Sequence, residues 1–409
     1  MKLVLISGFP LFPVNQGNRS RILALVRAIR ELGGELTFVL VPRGVPDLYD
    51  RDAHVAEFAP GQFIEFPPES RRARILRMLR WFPFRMRRKI CRKLNLRTGF
   101  YAGLDETWRP GWTAQLAALH AERGFDAAIV EYVFHSAALT AFPASVRKLI
   151  DTHDAFADRH ISYVAQGIPH DYFISLRPEE EDRGFRRADA ILAIQAEEAQ
   201  NFCKRLGTDP RNPEVHVVNH FLDLADAPVA DHAKCSGVFL ASRNSANTLS
   251  ARNFVEQTLP LILARLPQFR FMLAGSICEV VDDHPAIVKL GFVDRMIDAF
   301  TQAPLLINPM RVGTGIAIKM LDAMAAGVPA VSTDVGARGL PQQFAESVLI
   351  VPEQDHQAFA DRVVTLIQDE PLRRELGHKA RRAAEQWNML QRATLRDALR
   401  INFSAGEAG

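Results

Sequence analysis

Residues 305–339 constrain the fold of this chain more than any other stretch of its sequence. They begin with an apolar run typical of a buried parallel strand, pass through a glycine-containing loop, and continue with apolar residues at helical spacing. We expect Gly327 to end that helix, because glycine adopts a left-handed backbone at no steric cost. Residues 329–333 have the composition of a second strand. This order of elements predicts a parallel α/β sheet covered by helices.

The junction between this loop and its helix is predicted to bind an anion. The first amide groups of a helix lack internal partners and carry a partial positive charge, and glycines let a phosphate approach them closely. The residues of the junction are Gly313, Thr314, Gly315 and Ile316. Lys319 follows about one turn later, and Asp322 lies on the same helix face. A diphosphate at the helix start would lie near Lys319, with a sugar hydroxyl near Asp322.

Two other interpretations fit the same residues. In the first, the helix only packs on its sheet, and Lys319 and Asp322 form a solvated pair. In the second, the loop binds a dinucleotide, because an acidic residue, Asp334, follows at the end of the next strand. The third glycine of a dinucleotide fingerprint would fall at Ile318, whose branched side chain would hold helix and strand apart.

Residues 313–340 resemble the nucleotide-sugar motif of GT-B glycosyltransferases, in particular the retaining family 4 group, glycosyl transferases group 1. Members typically have a glutamate where this chain has Asp322, followed by Ala-Met-Ala, a small residue, Gly and Pro, as in residues 323–329. Many have another glutamate where this chain has Thr314, and a glycine-loop subgroup often has an arginine at the position of Ala317. The resemblance implies two Rossmann-like parallel-sheet domains facing each other across a cleft, with a C-terminal helix crossing back to the first domain.

The length of 409 residues also favours two domains, since it exceeds what one hydrophobic core usually supports. The resemblance places an acceptor-binding domain at residues 1–222, joined by a terminal helix near residues 388–403, and a nucleotide-sugar-binding domain at residues 235–387. The four cysteines lack metal-site or redox spacing, and the first residues lack the pattern of a signal peptide. We therefore expect a cytoplasmic protein.

In the first domain, the resemblance assigns the loop after the first strand to the cleft, which places Gly17 and Asn18 on the acceptor side. His153 follows a predicted strand, where open α/β sheets bind their ligands. It matches a histidine that contacts the transferred sugar in the family, and Asp154 would lie beside it on the acceptor side. The alternative is a structural His153 held by Asp151 or Asp154.

In the second domain, the resemblance assigns the donor diphosphate to Arg243, which follows a short apolar strand. Arginine suits this role because it is always charged and binds phosphate oxygens in pairs. The lysine that usually assists it is missing here, and Arg252 is the nearest substitute. Phe292 and Val293 match a loop that passes the nucleobase, although Phe292 fits a core position equally well.

The segment between Arg71 and Arg97 interleaves basic and apolar residues without an acidic one. We expect Pro83 to divide it into two short helices. A basic amphipathic helix with aromatic residues can lie on an anionic membrane. The same pattern fits a solvated face whose apolar side packs on the core, and basic residues with aromatics also bind single-stranded nucleic acid.

The implied reaction is the retaining transfer of a sugar, hexosyl or related, from a nucleoside diphosphate sugar to a hydroxyl of a glycan or lipid-linked acceptor. Such reactions serve bacterial surface polysaccharide and glycolipid synthesis. We assign no Asp-x-Asp metal site of the other major transferase fold in this sequence, so we expect no metal and no cofactor, with protein cations replacing the metal. We expect a peripheral enzyme at the inner face of the plasma membrane and no nucleic-acid partner. The alternatives are a non-catalytic relative that binds glycan or membrane, and another GT-B enzyme such as a nucleotide-sugar epimerase.

Overall fold

The computed structural model describes residues 1–14, 16–41, 49–68, 70–94, 96–165, 172–224, 234–293, 296–312, 318–340 and 342–401. The chain forms two compact units. The first comprises Met1–Asn219 and the chain from Gln391 on, and the second comprises His220–Leu390. Each unit contains one parallel sheet, so the predicted α/β class is confirmed.

The first unit is built on a seven-stranded sheet in the order β3-β2-β1-β4-β5-β6-β7, with every neighbouring pair parallel. Its strands are β1 (Lys2–Ser7), β2 (Glu35–Leu40), β3 (Phe63–Glu65), β4 (Ala127–Glu131), β5 (Arg147–Asp151), β6 (Ala190–Ala193) and β7 (Glu214–Val217). Its helices are α1 (Gly17–Glu31), α2 (Arg51–Glu57), α3 (Arg71–Lys93), α4 (Pro110–Arg123), α5 (His160–Ala165), α6 (Pro178–Phe185) and α7 (Ala196–Leu206).

The second unit is built on a six-stranded parallel sheet in the order β10-β9-β8-β11-β12-β13. Its strands are β8 (Ser236–Leu240), β9 (Arg270–Ala274), β10 (Ile287–Gly291), β11 (Leu306–Asn308), β12 (Ala330–Thr333) and β13 (Val348–Val351). The helices are α8 (Ser245–Asn253), α9 (Leu259–Leu263), α10 (Ile318–Ala325), α11 (His356–Gln368) and α12 (Glu370–Leu399), the last of which ends in the first unit.

The central strands read as continuous apolar runs because both faces of each sheet are covered. In β8, Phe239 packs in the apolar cluster on one face, while Val238 and Leu240 pack in the cluster on the other. The alternation follows from the two-residue period of a strand. The covered faces leave the carboxyl ends of the strands as the place where polar side chains can collect.

The predicted unit around residues 305–339 is present as β11, α10 and β12. Gly327 has a φ of 64°, in the left-handed region, and follows shortly after the end of α10, as predicted. The predicted phosphate loop lies outside the described residues, which resume at the start of α10.

Two helix predictions were wrong. Pro83 lies inside α3, a single helix of 23 residues, and does not divide it. A proline costs a helix one hydrogen bond, here that to the carbonyl of Leu79, and both residues are exposed so that water can reach this part of the backbone. The terminal helix predicted near residues 388–403 is also not a separate helix, because it is the last part of α12, which runs without interruption for 30 residues. Its course across the first domain stays a prediction.

Within the described residues, no helix combines the length and the apolar character that crossing a bilayer requires.

We expect Gly377→Ala to destabilise the protein by about 1–3 kcal/mol, the usual cost of overpacking. Gly377 lies in α12, and a Cβ there would meet the carbonyl oxygen of Gly327 at 2.3 Å, a backbone atom that cannot rotate away. The matched control is Gly111→Ala in α4, where a Cβ meets nothing within 4 Å. Urea unfolding followed by circular dichroism should show a loss for Gly377→Ala and none for Gly111→Ala; a gain at both positions would contradict this close packing.

Candidate functional site

Three polar side chains meet at the carboxyl ends of β4 and β5 in the first unit. Glu131 and Asp151 are the last residues of these strands and are partners in the parallel register. His153 follows two residues after β5, and all three side chains are buried. The sequence predicted the place of His153, because ligands of open α/β sheets bind at this edge.

His153 is held on several sides. Its Nε2 lies 2.5 Å from Glu131 Oε2 and 3.4 Å from Asp151 Oδ2. The ring of Tyr132 stacks on the imidazole with the centroids 4.2 Å apart. Tyr132 and His153 have φ values of 70° and 57°, which residues with a side chain rarely adopt. Such backbone conformations persist only where the surroundings enforce them, and they concentrate at functional sites.

Arg21 of α1 neutralises this cluster, and our sequence reasoning missed it. Its Nε donates to Asp151 Oδ2 at 3.0 Å, its Nη2 donates to Asp151 Oδ1, and the same Nη2 donates to the carbonyl of Val218 at 2.8 Å. The signal in the sequence was a charged residue next to the apolar Ile22 on the core side of an amphipathic helix, where an arginine requires a buried partner.

Burial shifts both partners of the Glu131–His153 hydrogen bond toward their neutral forms. Burial and the nearby negative charge of Asp151 raise the pKa of Glu131 well above its ordinary value. Burial also lowers the pKa of His153 to about 4. Both shifts favour a neutral hydrogen-bonded pair over an ion pair, in which Glu131 donates to Nε2 and the imidazole carries its hydrogen on Nδ1. The ring can then donate one hydrogen bond to a ligand without a net charge.

Among the described residues, Glu131, Asp151 and His153 form the group whose ligand atoms lie close enough to hold a metal ion, within 4.8 Å of one another. The guanidinium of Arg21 already occupies both oxygens of Asp151. A divalent cation would lie beside this fixed positive charge in a buried setting, where repulsion is strong. The arrangement fits a neutral hydrogen-bonded cluster better than a metal centre.

A cavity of about 200 Å³ lies in the first unit next to this cluster. Two of the predicted acceptor-side residues, Asn18 and Asp154, line it, and Asp154 forms an ion pair with Arg159 at 3.0 Å. Aromatic side chains form the other walls: Phe9, Tyr132, Phe156 and Phe173. Gly17 is the first residue of α1 and is exposed. The structure thus brings Asn18 and Asp154 together at one cavity, and their role on the acceptor side stays a prediction.

Lys319 of the second unit is half-buried at the start of α10. Its ammonium lies 3.5 Å from Asn247 Oδ1, 3.7 Å from Met310 Sδ and 4.3 Å from the ring centroid of Phe239. None of these neighbours is an acid. Burial lowers the pKa of Lys319 to about 7, so the charged form lacks full stabilisation in the free protein.

Asp322 lies one turn further along α10 and is also half-buried. Burial raises the pKa of its carboxyl to about 7. Among the described residues, no ion pair joins Lys319 to Asp322, and burial alone shifts the pKa of each. The interpretation of these residues as a solvated pair is therefore wrong. In an ordinary surface pair water stabilises both charges, whereas here burial disfavours the charged form of each residue.

The loop after β8 supports Lys319 from the other side. Asn244 caps α8 by accepting a hydrogen bond from the amide of Asn247 at 2.8 Å, and the side chain of Asn247 donates to the carbonyl of Ser242 at 2.9 Å. This leaves Asn247 Oδ1 facing the ammonium of Lys319. The role of Asn247 was missed, because only the folded unit brings the two residues together.

Arg243 lies in the same loop, exposed and paired with Glu279 at 2.7 Å. Phe292 follows β10 with 66% of its surface exposed, so its interpretation as a core residue is wrong. Val293 is half-buried and packs against the apolar cluster beside β10. The other predicted donor-binding residues lie outside the described part of the chain: Gly313, Thr314, Gly315 and Ile316.

We expect Arg21→Ala to cost about 3–5 kcal/mol of stability, because it leaves the buried carboxylate of Asp151 without its partner. Arg374→Ala is the matched control, since it breaks an exposed pair with Glu370 of the kind that contributes about 0.5 kcal/mol or less. Chemical unfolding of both variants measures the difference. Equal small losses would show that Asp151 does not depend on Arg21.

Comparisons with known proteins agree with this architecture. Residues 236–369 match the family model of glycosyl transferases group 1. An exopolysaccharide phosphotransferase of Streptomyces coelicolor is 34% identical over 99 residues, a match that covers 24% of this chain. The matched part spans 10% of the length of that relative.

Solved structures share the fold over nearly the whole chain. A TarM variant of S. aureus, in complex with fondaparinux, alpha-GlcNAc-glycerol and UDP, aligns with a TM-score of 0.66 and 9% identity, over 98% of this chain and 100% of TarM. The sucrose-phosphate synthase of Thermosynechococcus elongatus aligns with a TM-score of 0.62 and 16% identity, over 99% and 100% of the two chains. HepE of Anabaena, in complex with UDP and glucose, aligns with a TM-score of 0.63 and 13% identity, over 98% of this chain and 100% of HepE.

The two parallel sheets and their alignment with these structures confirm the GT-B fold that the resemblance predicted. The protein has the GT-B fold, and residues 236–369 of its second unit match the family model of glycosyl transferases group 1.

Proposed function

We propose that this protein is a retaining glycosyltransferase that moves a sugar from a nucleoside diphosphate sugar to a hydroxyl of an acceptor. The observation that carries the proposal is Lys319: a half-buried ammonium at a helix start, with no acidic neighbour among the described residues, inside the domain that matches the family. An ammonium in this setting is stabilised when an anionic ligand binds beside it, and the start of a helix also favours a negative charge.

The chemistry requires stabilisation of a leaving group. When the bond between sugar and diphosphate breaks, the diphosphate gains negative charge, and each fixed donor aimed at that charge is worth about 10²–10³ in rate. The proposal gives this role to Lys319 and to Arg243, which would exchange its bond to Glu279 for a phosphate oxygen. Asp322 would accept a hydrogen bond from a ribose hydroxyl.

In the first unit, the proposal assigns His153 to the transferred sugar. The neutral imidazole, fixed by Glu131 and stacked on Tyr132, can donate from Nδ1 to a sugar hydroxyl. The cavity lined by Asn18 and Asp154 would take the acceptor, since aromatic walls with a few polar groups suit a sugar ring.

The comparisons guide the choice of substrates. TarM and HepE were solved with UDP, so UDP and UDP-hexoses are the first donors to test. The exopolysaccharide relative supports a glycan or lipid-linked acceptor of bacterial surface polysaccharide synthesis, although it is matched over only 24% of this chain. Hydrolysis or transfer of a UDP-hexose by the purified protein tests the proposal, and the absence of both with every nucleotide sugar would favour a non-catalytic relative.

We expect Lys319→Ala and Arg243→Ala each to weaken UDP binding by about tenfold or more, because each removes a charge-assisted hydrogen bond. Calorimetric titration with UDP measures the change. Arg265→Ala is the control, since Arg265 is another exposed, ion-paired arginine of the second unit and should be dispensable. Wild-type affinity in both test variants would remove these residues from the diphosphate site.

UDP affinity should fall as the pH rises from about 7.5 to 9. The pKa of Lys319 is about 7 in the free protein and must rise when a diphosphate approaches, so binding takes up a proton. The loss approaches about tenfold per pH unit between the free and bound pKa values. Lys319→Arg should flatten this dependence, because arginine stays charged. Asp322→Asn should keep it, and an unchanged slope in Lys319→Arg would contradict the assignment.

Transfer should continue in excess EDTA, because protein cations take the place of a divalent metal at the diphosphate. The assay compares rates with EDTA alone and with EDTA overcome by added manganese or magnesium. If EDTA abolishes transfer and added metal restores it, the reaction needs a divalent metal. Glu131, Asp151 and His153 would then be the first ligands to examine.

A further inference from the structure

α3 exposes the apolar side chains that an ordinary surface helix would bury. Leu76, Leu79, Phe82, Met86 and Ile90 are between 43% and 65% exposed. Among the α3 side chains that the structure describes, four are half-buried: Arg77, Trp81, Arg88 and Cys91. A large apolar surface left open in this way marks an interaction site.

The side of α3 that contacts the first unit is narrow and well fixed. A Cβ at Gly103 would lie 2.8 Å from Trp81, which shows how closely the indole packs there. Arg85 and Arg88 both donate to the buried carboxylate of Glu106, at 2.7 and 2.9 Å. Trp81, Arg85 and Arg88 therefore anchor the helix to the protein and are not available to a partner.

Five of the exposed apolar residues form one stripe, whereas Met78 and Phe84 are exposed but lie off this face. At about 100° per residue, Leu76, Leu79, Phe82, Met86 and Ile90 share a face whose centre lies about 180° from the half-buried stripe. The apolar stripe therefore points directly away from the body of the unit. Apolar side chains on this face have no described surface of their own chain to cover them.

Basic residues flank the apolar stripe on both sides. The helix contains eleven arginines and lysines and no acidic residue. Arg80 and Arg87 lie on one flank and Arg71 and Lys89 on the other. These four side chains are exposed, so the outward face combines a strip of apolar groups with two borders of positive charge.

We propose that the outward face of α3 docks on an anionic membrane surface. The helix would lie in the plane of the interface, with its apolar stripe among the acyl chains and its basic borders against lipid phosphates. Charge complementarity selects this occupant: a second copy of the chain would place two basic faces together. The inference is independent of the proposed glycosyl transfer, since it concerns only where the first unit binds.

A nucleic acid fits this face less well. Single strands stack their bases on aromatic side chains, but Trp81 is turned toward the protein and Phe82 is the one aromatic residue in the outward stripe. An aliphatic stripe offers bases no such platform, whereas it suits acyl chains.

Flotation of the full-length protein with phosphatidylcholine vesicles, with and without phosphatidylglycerol, tests the proposal. We expect binding to the anionic vesicles, weakened but not abolished by high salt, because salt screens charge and leaves the apolar contact. Arg80→Gln, Arg87→Gln and Lys89→Gln combined should reduce binding at low salt by about a hundredfold. Leu76→Ser, Leu79→Ser and Phe82→Ser combined should remove the salt-resistant part, by about tenfold or more.

Matched controls exist in the second unit. Leu249→Ser, Ile350→Ser and Met389→Ser change residues that are 49%, 43% and 62% exposed and should leave binding intact. Because the substituted α3 residues are also exposed, the two α3 triple variants should fold, and circular dichroism and UDP binding verify this. Failure of the wild type to bind any vesicle, or equal binding by the α3 and control variants, would overturn the proposal.

A second measurement locates the contact. Phe82→Trp should lose fluorescence on vesicles containing brominated lipid, whereas Met389→Trp, at a position of similar exposure, should not. Stoichiometric binding to a single-stranded oligonucleotide without vesicle binding would assign the face to nucleic acid. A concentration-dependent dimer that the Leu76, Leu79 and Phe82 variant abolishes, again without vesicle binding, would assign it to a second copy.

Discussion

Coverage of both faces of a parallel sheet is the constraint on which each unit depends. A βαβ connection places a helix on the sheet, so the strands can present only apolar side chains to either face. Polar groups are then confined to the strand ends. Glu131 and Asp151 end their strands in the first unit, and Arg243 follows β8 in the second. The functional chemistry collects there because the rest of the sheet cannot hold it.

The two units treat buried charge in opposite ways. In the first, Arg21 and Asp151 neutralise each other, and Glu131 and His153 are driven to neutral forms by burial. The charges of this cluster are balanced without a ligand. In the second, Lys319 has an amide oxygen, a sulfur and an aromatic ring as neighbours, which stabilise a cation only weakly. A cluster whose charges are balanced holds its groups in position. An ammonium without an acidic neighbour is instead stabilised when an anion binds.

The sequence predicted those features that depend on local chemistry. The β11–α10–β12 unit follows from apolar runs and helical spacing, and the end of its helix follows from the backbone freedom of Gly327. Features that need tertiary contacts were missed. Arg21 and Asn247 acquire their partners from segments 130 and 72 residues away in the chain, which no local pattern identifies. The exposure of Phe292 also depends on packing alone, because the same residue type fits a core or a nucleobase contact.

α3 shows where pattern and packing must be combined. Its periodicity indicates an amphipathic helix, but amphipathicity alone does not say whether the apolar side faces the protein or another phase. The anchors decide this, because Glu106 and Gly103 contact the basic and aromatic side and so turn the aliphatic stripe outward. An outward apolar stripe costs free energy in water, and a protein that keeps it is stabilised when another phase covers it. The basic residues beside the stripe favour an anionic surface, because negative charges opposite them offset the repulsion among their own positive charges.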